Sequence, residues 1–321
     1  MDFRPDLDKV RYYMHLIASH PFSGTEIGSV LDDAFDCSGK MIRATLLLAS
    51  AQFGPDSENK KDRLCMLAAM IELTHLASLI HDDIVDESDF RRGKASIQSK
   101  HHKDAAVYAG DFLITRVNYT LAQEHLDESS MTLSKTIERM CMGEIGQAKC
   151  RYKTNTSVSD YLNNIRGKTA ELFKAACLIG SREAGADADT INILKSVGEN
   201  LGIMFQLRDD LLDFTSEREE IGKASHVDFK EGIYTMPVLH ALANDKEHKL
   251  LAAMQKNAED GLSDTEIRET EELVVSLGGV EQTKREITNC RMKIEELLRG
   301  LPGGASKDLL SGLTARLELS M

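Results

Sequence analysis

The chain has no tryptophan, and aromatic residues make up only 5% of its 321 positions. Proline is equally scarce, with five in all: Pro5, Pro21, Pro55, Pro237 and Pro302. Strands draw on aromatic side chains and helices are broken by proline, so both shortages weigh against a β-sandwich and favour helices. The six cysteines (Cys37, Cys65, Cys141, Cys150, Cys177, Cys290) include no pair at C-x-x-C spacing. They read as reduced thiols of a cytoplasmic protein. Basic residues are outnumbered, 39 Lys+Arg against 52 Asp+Glu, for a net charge of -13. That balance argues against a nucleic-acid partner and against docking on an anionic leaflet by charge. The N-terminus, Met1-Asp2-Phe3-Arg4-Pro5-Asp6, lacks the apolar core of a signal peptide. No apolar run approaches transmembrane length, so no integral membrane segment is expected.

Hydrophobic residues at 42% and charged residues at 28% support a packed core. Met66–Met321 reads as successive helices separated by short polar or glycine-rich breaks. Ser263 with Glu266 forms a capping box, and Gly278-Gly279 ends the helix it starts. The next helix runs to about Gly300, and a last one carries Leu309, Leu310, Leu313 and Leu317 on one face. Pro55, Ser57 and Asn59 mark a loop between Gly54 and Asp62. With no strand series, repeat or linker, the expectation is an all-α, single-domain helical bundle over residues 1–321.

Two acidic clusters stand inside apolar helical segments. In His81-Asp82-Asp83-Ile84-Val85-Asp86, Asp82 and Asp86 are four residues apart and share a helix face. In Gln206-Leu207-Arg208-Asp209-Asp210-Leu211-Leu212-Asp213, Asp209 and Asp213 repeat that spacing. Neighbouring carboxylates at an intermediate dielectric repel by about 4 kcal/mol per pair. A hard divalent cation that keeps waters and shares substrate phosphates relieves this, and Mg²⁺ fits best. One such cluster alone reads as a solvated helix end; two in apolar settings do not.

Three lookalikes fail. Gly167-Lys168-Thr169 resembles the end of a P-loop, but the upstream glycine position is Leu162. An EF-hand starting at Asp82 would place Ile84 and Glu87 at its ligand and glycine positions. Glu72 and His75 give one Glu-x-x-His, where a di-iron bundle needs two.

In order along the chain, Ser38-Gly39-Lys40-Met41-Ile42-Arg43, Asp82–Asp86 with Arg91-Arg92-Gly93, Gly143-Glu144-Ile145-Gly146-Gln147, Lys168-Thr169-Ala170-Glu171-Leu172-Phe173, Gln206 with Asp209–Asp213, and Gly222-Lys223…Asp228…Gly232…Thr235-Met236-Pro237 complete a pattern. It resembles the trans-isoprenyl diphosphate synthases, or polyprenyl synthetases, of the long-chain type, from about Asp36 to Leu242. The resemblance implies the isoprenoid-synthase fold with a central active-site cavity. It also implies a magnesium-dependent prenyltransferase that condenses isopentenyl diphosphate with an allylic diphosphate, farnesyl or geranylgeranyl. Asp82, Asp83, Asp86, Asp209 and Asp213 would hold Mg²⁺ on the allylic diphosphate. Arg91, Lys168 and Lys223 would add positive charge there. Lys40, Arg43, His75 and Arg92 would hold isopentenyl diphosphate, and Thr169 and Gln206 would face the forming carbocation. Without the resemblance, each basic residue reads as an exposed cation and His75 as a satisfied core histidine.

Met41 and Ala44 depart from the family pattern, as do Ala224 after Gly222-Lys223 and Ile233, where many members carry a lysine; Lys230 lies nearby. Thr74, Ala77 and Ser78 lie one and two turns before Asp82 and would line the wall of a product channel. Their small size implies a long product, thirty to forty carbons; the alternative is that they permit close helix packing. Tyr108, Phe112 or Met142 would supply a floor. The family default is a homodimer, with a catalytic subunit needing a small partner as the alternative. A shorter-chain synthase, a terpene cyclase, a non-catalytic regulatory subunit and a metal-dependent phosphohydrolase are the rival readings. The second Asp-x-x-x-Asp cluster disfavours the last three.

Overall fold

The computed structural model describes residues 3–36, 39–215 and 227–319. Its helices are α1 Arg4–Ile17, α2 Glu26–Asp36, α3 Ile42–Ala51, α4 Lys61–Val85, α5 Ile97–Gln123, α6 Asp127–Cys150, α7 Val158–Ile165, α8 Glu171–Glu183, α9 Ala188–Thr215, α10 Val227–Lys230, α11 Met236–Asn244, α12 Lys249–Glu259, α13 Asp264–Ser276, α14 Gly279–Arg299 and α15 Ala305–Leu319. The all-α expectation holds, with one addition. A two-residue hairpin, β1 Phe90–Arg91 and β2 Lys94–Ala95, follows α4. Its turn residues Arg92 and Gly93 both have positive φ, 52° and 78°, as a tight hairpin turn with the strands' twist requires.

Two compact units are woven from separate stretches of chain. The first comprises 1–135, 172–195 and 301–309; the second comprises 136–171, 196–300 and 310–321.

The first unit is built around α4, which packs on α1, α3 and α5. Its Leu, Ala and Met side chains are good helix formers, and it has no internal glycine or proline. Leu67, Ala68, Ala69, Met70, Ile71 and Leu73 are all fully buried, so the helix is apolar nearly all round, the mark of a core helix. By length and composition α4 does reach membrane-spanning size, contrary to the expectation, but 72% of that window is buried inside the protein. At the start of α3, Met41 has φ 52° and the Ala44 N–H donates to the buried Glu72 carboxylate at 2.8 Å. A side chain from α4 therefore does the work of an N-cap.

One strained residue interrupts α5. His102 has φ 73° and ψ 160°, a region open essentially only to glycine, and it is exposed. Such strain costs about 1–3 kcal/mol, against about 0.5–1 kcal/mol for the extra freedom of an unfolded glycine. His102→Gly is therefore expected to stabilise the protein by about 1 kcal/mol, read as a rise in Tm. An unchanged or lower Tm would show that the kink carries no strain.

In the second unit α11 packs on α13 and α14. The capping box Ser263–Glu266 is present in both directions, and Gly278 at φ 81° separates α13 from α14. A second box, Ser157–Asp160, starts α7.

Candidate active site

The two acidic clusters share one local geometry. In each, the middle aspartate is buried and held by protein donors, while the outer pair stays nearer solvent. Asp83 is 3% exposed; Arg91 Nε donates to its Oδ1 and Oδ2 at 2.8 and 2.7 Å, and a terminal guanidinium nitrogen reaches Oδ1 at 2.6 Å. Gln98 ties the turn beyond α4 to it, donating to the carbonyls of Asp83 and Ser88 at 2.7 and 2.9 Å. Asp82 is half-buried and Asp86, at the C-cap of α4, is exposed.

Asp210 is likewise 3% exposed. It accepts hydrogen bonds from the Tyr161 hydroxyl and from Gln206 Nε2, the latter at 2.9 Å. Burial pushes its carboxyl up to about 6. Asp209 and Asp213, half-buried, flank it, and Asp209 lies 3.3 Å from the Arg208 guanidinium. Asp228, in α10, is pushed up to about 8 by burial and by the charges of Asp210 and Asp213.

This division follows from helical spacing. Positions i and i+4 lie on one face, and position i+1 turns about 100° away from i, toward the core. Among the described residues no three of His, Cys, Asp and Glu converge into a closed metal cage. Pairs of partly exposed carboxylate oxygens suit a cation that takes one or two protein carboxylates and completes its shell with water and phosphate.

The predicted isopentenyl diphosphate residues gather in the first unit. A Cβ at Gly39 would lie 2.3 Å from the Arg92 guanidinium, so only glycine lets Arg92 lie against the backbone next to Lys40. Arg43 stacks over the Phe173 ring at 4.7 Å. Burial and the charges of Arg43 and Arg92 hold His75 well below the usual histidine range, so it is neutral at neutral pH. Glu72 beside them is pushed up by its burial, which the charge of Arg43 opposes. The hairpin thus separates the two arginines: Arg91 engages Asp83 and Arg92 lies along Gly39.

Lys168 and Thr169 occupy a single π-helical turn, Arg166–Ala170, between α7 and α8. Such turns insert one residue into a helix and are frequent at functional sites. Lys168 Nζ lies 3.0 Å from both Glu144 Oε2 and Gln147 Oε1 of α6. Thr169 Oγ1 donates to Gln206 Oε1 at 2.6 Å. The turn approaches α6 backbone to backbone: a Cβ on Gly143 would sit 2.4 Å from Lys168 N and 2.7 Å from Asn164 O.

Thr74 and Ala77 are buried, at 2% and 0% exposure, and Ser78 is half-buried. Tyr108 and Met142 are 70% and 65% exposed, while Phe112 stands edge-on to Phe22. Lys223 lies outside the described residues, as does Ala224. Lys230 is directed to Asp264, 3.8 Å away, and stays 60% exposed. Ile233 instead lines a small cavity with Gln147, Tyr161 and Asn164.

Sequence alone gives no part to Tyr161, weighs Glu72 only as half of a Glu-x-x-His, and takes Asp210 only as a member of the second Asp-rich motif. Tyr161 stands seven residues, about two turns, before Lys168. That spacing was the available signal, though nothing in it distinguishes a site tyrosine from a core one.

The chain is 32% identical over 290 residues to heptaprenyl diphosphate synthase component 2 of Geobacillus stearothermophilus, covering 89% of this chain and 88% of that one. Its fold superposes on decaprenyl diphosphate synthase from Rhodobacter capsulatus with a TM-score of 0.89 at 29% identity, covering 99% and 96% of the two chains. A polyprenyl synthase from Caulobacter crescentus, solved with calcium and isoprenyl diphosphate, gives 0.90 at 28% identity over 98% and 95%. The polyprenyl synthetase pattern matches residues 25–271, and the chain belongs to that family.

Proposed function

We propose that the protein is an all-trans polyprenyl diphosphate synthase that extends farnesyl or geranylgeranyl diphosphate with isopentenyl diphosphate to about thirty to forty carbons. One observation carries the reading: both Asp clusters bury the middle carboxylate on protein donors and leave an outer pair, Asp82/Asp86 and Asp209/Asp213, toward solvent. This is what a diphosphate–metal clamp needs from each helix. The similar Caulobacter crescentus structure is complexed with calcium and isoprenyl diphosphate, which supports a divalent ion; Mg²⁺ is the ion we assign here.

When bound, Mg²⁺ supplies Lewis-acid neutralisation of the leaving diphosphate. Lys168, aligned by Glu144 and Gln147, adds a point charge. Arg43 and Arg92 offer planar donors to the second diphosphate, with Lys40 as a mobile cation and His75 as a neutral hydrogen-bonding group. Gln206 and Thr169 present oxygen dipoles to the allylic cation. The departing diphosphate takes the proton lost after addition. Asp83 and Arg91, bonded to each other, set the end of α4 and thereby the outer aspartates.

The test is a radiolabel assay: pure protein, Mg²⁺, labelled isopentenyl diphosphate and farnesyl diphosphate, with dephosphorylated products sized. Chains of thirty carbons or more are expected; a stop at twenty keeps the chemistry and removes the long-chain assignment. Ala77→Phe is expected to shorten the product. Ala77 is fully buried, so Tm is followed alongside; an unchanged product in a folded variant defeats the channel wall.

The likeness to a protein named component 2 favours a second reading, a catalytic subunit that works with a separate partner. A homodimer is the simpler assembly, supported by the exposed Tyr108 and Tyr119 on α5. Pure protein that turns over without addition removes the separate partner, and a dimer mass in sedimentation is then expected for the homodimer. A cytoplasmic location and one functional domain complete the proposal.

A further inference from the structure

We propose that Tyr161 and Asp210 are positioning residues that fix the polarity of the Gln206–Thr169 pair and so aim a lone pair of the Thr169 hydroxyl at the reacting allylic carbon. The proposal rests on the synthase reading above, which places Thr169 beside the forming cation.

Four side chains from three neighbouring elements make one unbranched chain in the second unit. Tyr161 of α7 donates to Asp210 Oδ2, Gln206 Nε2 donates to Asp210 Oδ1 at 2.9 Å, and Thr169 Oγ1 donates to Gln206 Oε1 at 2.6 Å. Tyr161, Asp210 and Thr169 are 6%, 3% and 7% exposed, so water does not substitute for these partners.

The direction of every proton in the chain follows from the acceptor at its end. An amide side chain has two orientations that look alike in shape but are opposite in dipole. A carboxylate only accepts, so the amide must turn its NH₂ to Asp210 and its oxygen to Thr169. A carbonyl oxygen also only accepts, so the Thr169 hydroxyl commits its proton to Gln206. Its lone pairs are left on the far side. Without Asp210 the amide is free to flip, and the hydroxyl would then present a proton to a developing positive charge. Each bond polarises the next, carrying the negative end of the chain toward Thr169. Tyr161 holds the second carboxylate oxygen from another helix and stops the carboxylate turning out between Asp209 and Asp213.

A purely structural network would glue α7, the π turn and α9 together without caring which way the amide points. Kinetics separate the two roles. Tyr161→Phe removes one hydroxyl and little packing volume; Asp210→Asn turns one of the two acceptor oxygens into an NH₂ donor, so the side chain no longer obliges the Gln206 amide to face it with its own NH₂. Each is expected to lower kcat about tenfold, less than the ~10²–10³ for a donor that touches the reacting atoms. KM for both diphosphates and the Mg²⁺ concentration for half-maximal rate should stay within about twofold. In a Thr169→Val background neither change should cost anything further, because the chain then has nothing to aim.

Full additivity on Thr169→Val, an unchanged kcat, or a raised Mg²⁺ requirement in Asp210→Asn each overturns the proposal; the last would make Asp210 a metal ligand. Should Asp210→Asn lose its folded Tm, the Tyr161→Phe cycle carries the decision alone. Wild-type protein run in the same assay separates the two levels. Active wild type with an indifferent Tyr161→Phe sinks this inference only, and inactive wild type sinks the synthase reading with it.

Discussion

Asp82→Asn and Asp209→Asn are each expected to lower kcat by about 10³-fold while leaving the fold intact. Both carboxylates lie on the partly exposed side of their clusters, so the substitution removes charge without opening a cavity. What is lost is transition-state stabilisation, for which removing one electrostatic contact costs about 10²–10³ in rate. A metal ligand adds to that by raising the Mg²⁺ concentration needed for half-maximal rate. Asp83→Asn provides the contrast. It weakens the ion pair of the buried Asp83 with the half-buried Arg91, and breaking a buried pair costs up to about 3–5 kcal/mol of stability. Tm should therefore collapse for Asp83→Asn and hold for Asp82→Asn. Equal behaviour of the two in Mg²⁺ titration and in thermal melts would remove the distinction between outer and middle aspartates.

Gly143→Ala is the second large effect, and its sign is opposite to propensity. Inside a helix alanine is favoured over glycine by about 1 kcal/mol. Here the added methyl meets main-chain atoms of the end of α7 and of the π turn at 2.4 to 2.9 Å, which no rotamer change relieves. Overpacking of that kind costs about 1–3 kcal/mol, so after the propensity gain a net loss of about 1 kcal/mol and a Tm lower by about 2 °C are expected. The atoms displaced include Lys168 N, and a 1 Å misplacement of a site can cost about 10²-fold in rate. Gly146→Ala meets only the Asn164 side chain, which can move, and should be much milder. Similar losses at both positions would show that α6 yields as a whole.

Much of the fold was legible from composition and periodicity. The long apolar run of α4, the Ser263–Glu266 box and the Gly278 break all appear where the pattern places them, because each is set by residues within a few positions of one another. The outer aspartates were legible for the same reason: i and i+4 share a face in any helix. What sequence could not resolve was α4 itself. It is long and apolar enough to span a membrane, and only the packing of α1, α3 and α5 around it shows a core helix.

Residue roles divide along the same line. The sequence by itself determined the chemistry on offer: paired carboxylates for a hard cation, arginines and lysines for diphosphates, and a Lys-Thr pair of unspecified conformation. Which groups are already engaged follows from the packing of the folded chain. Arg91 belongs to Asp83 because a tight hairpin folds back on α4, and Arg92 reaches Gly39 because the same turn points it the other way. Tyr161 meets Asp210 across 49 residues of chain. Such partnerships depend on which helix faces pack together. Hydrogen bonds act over about 3 Å in space, whatever the separation in sequence.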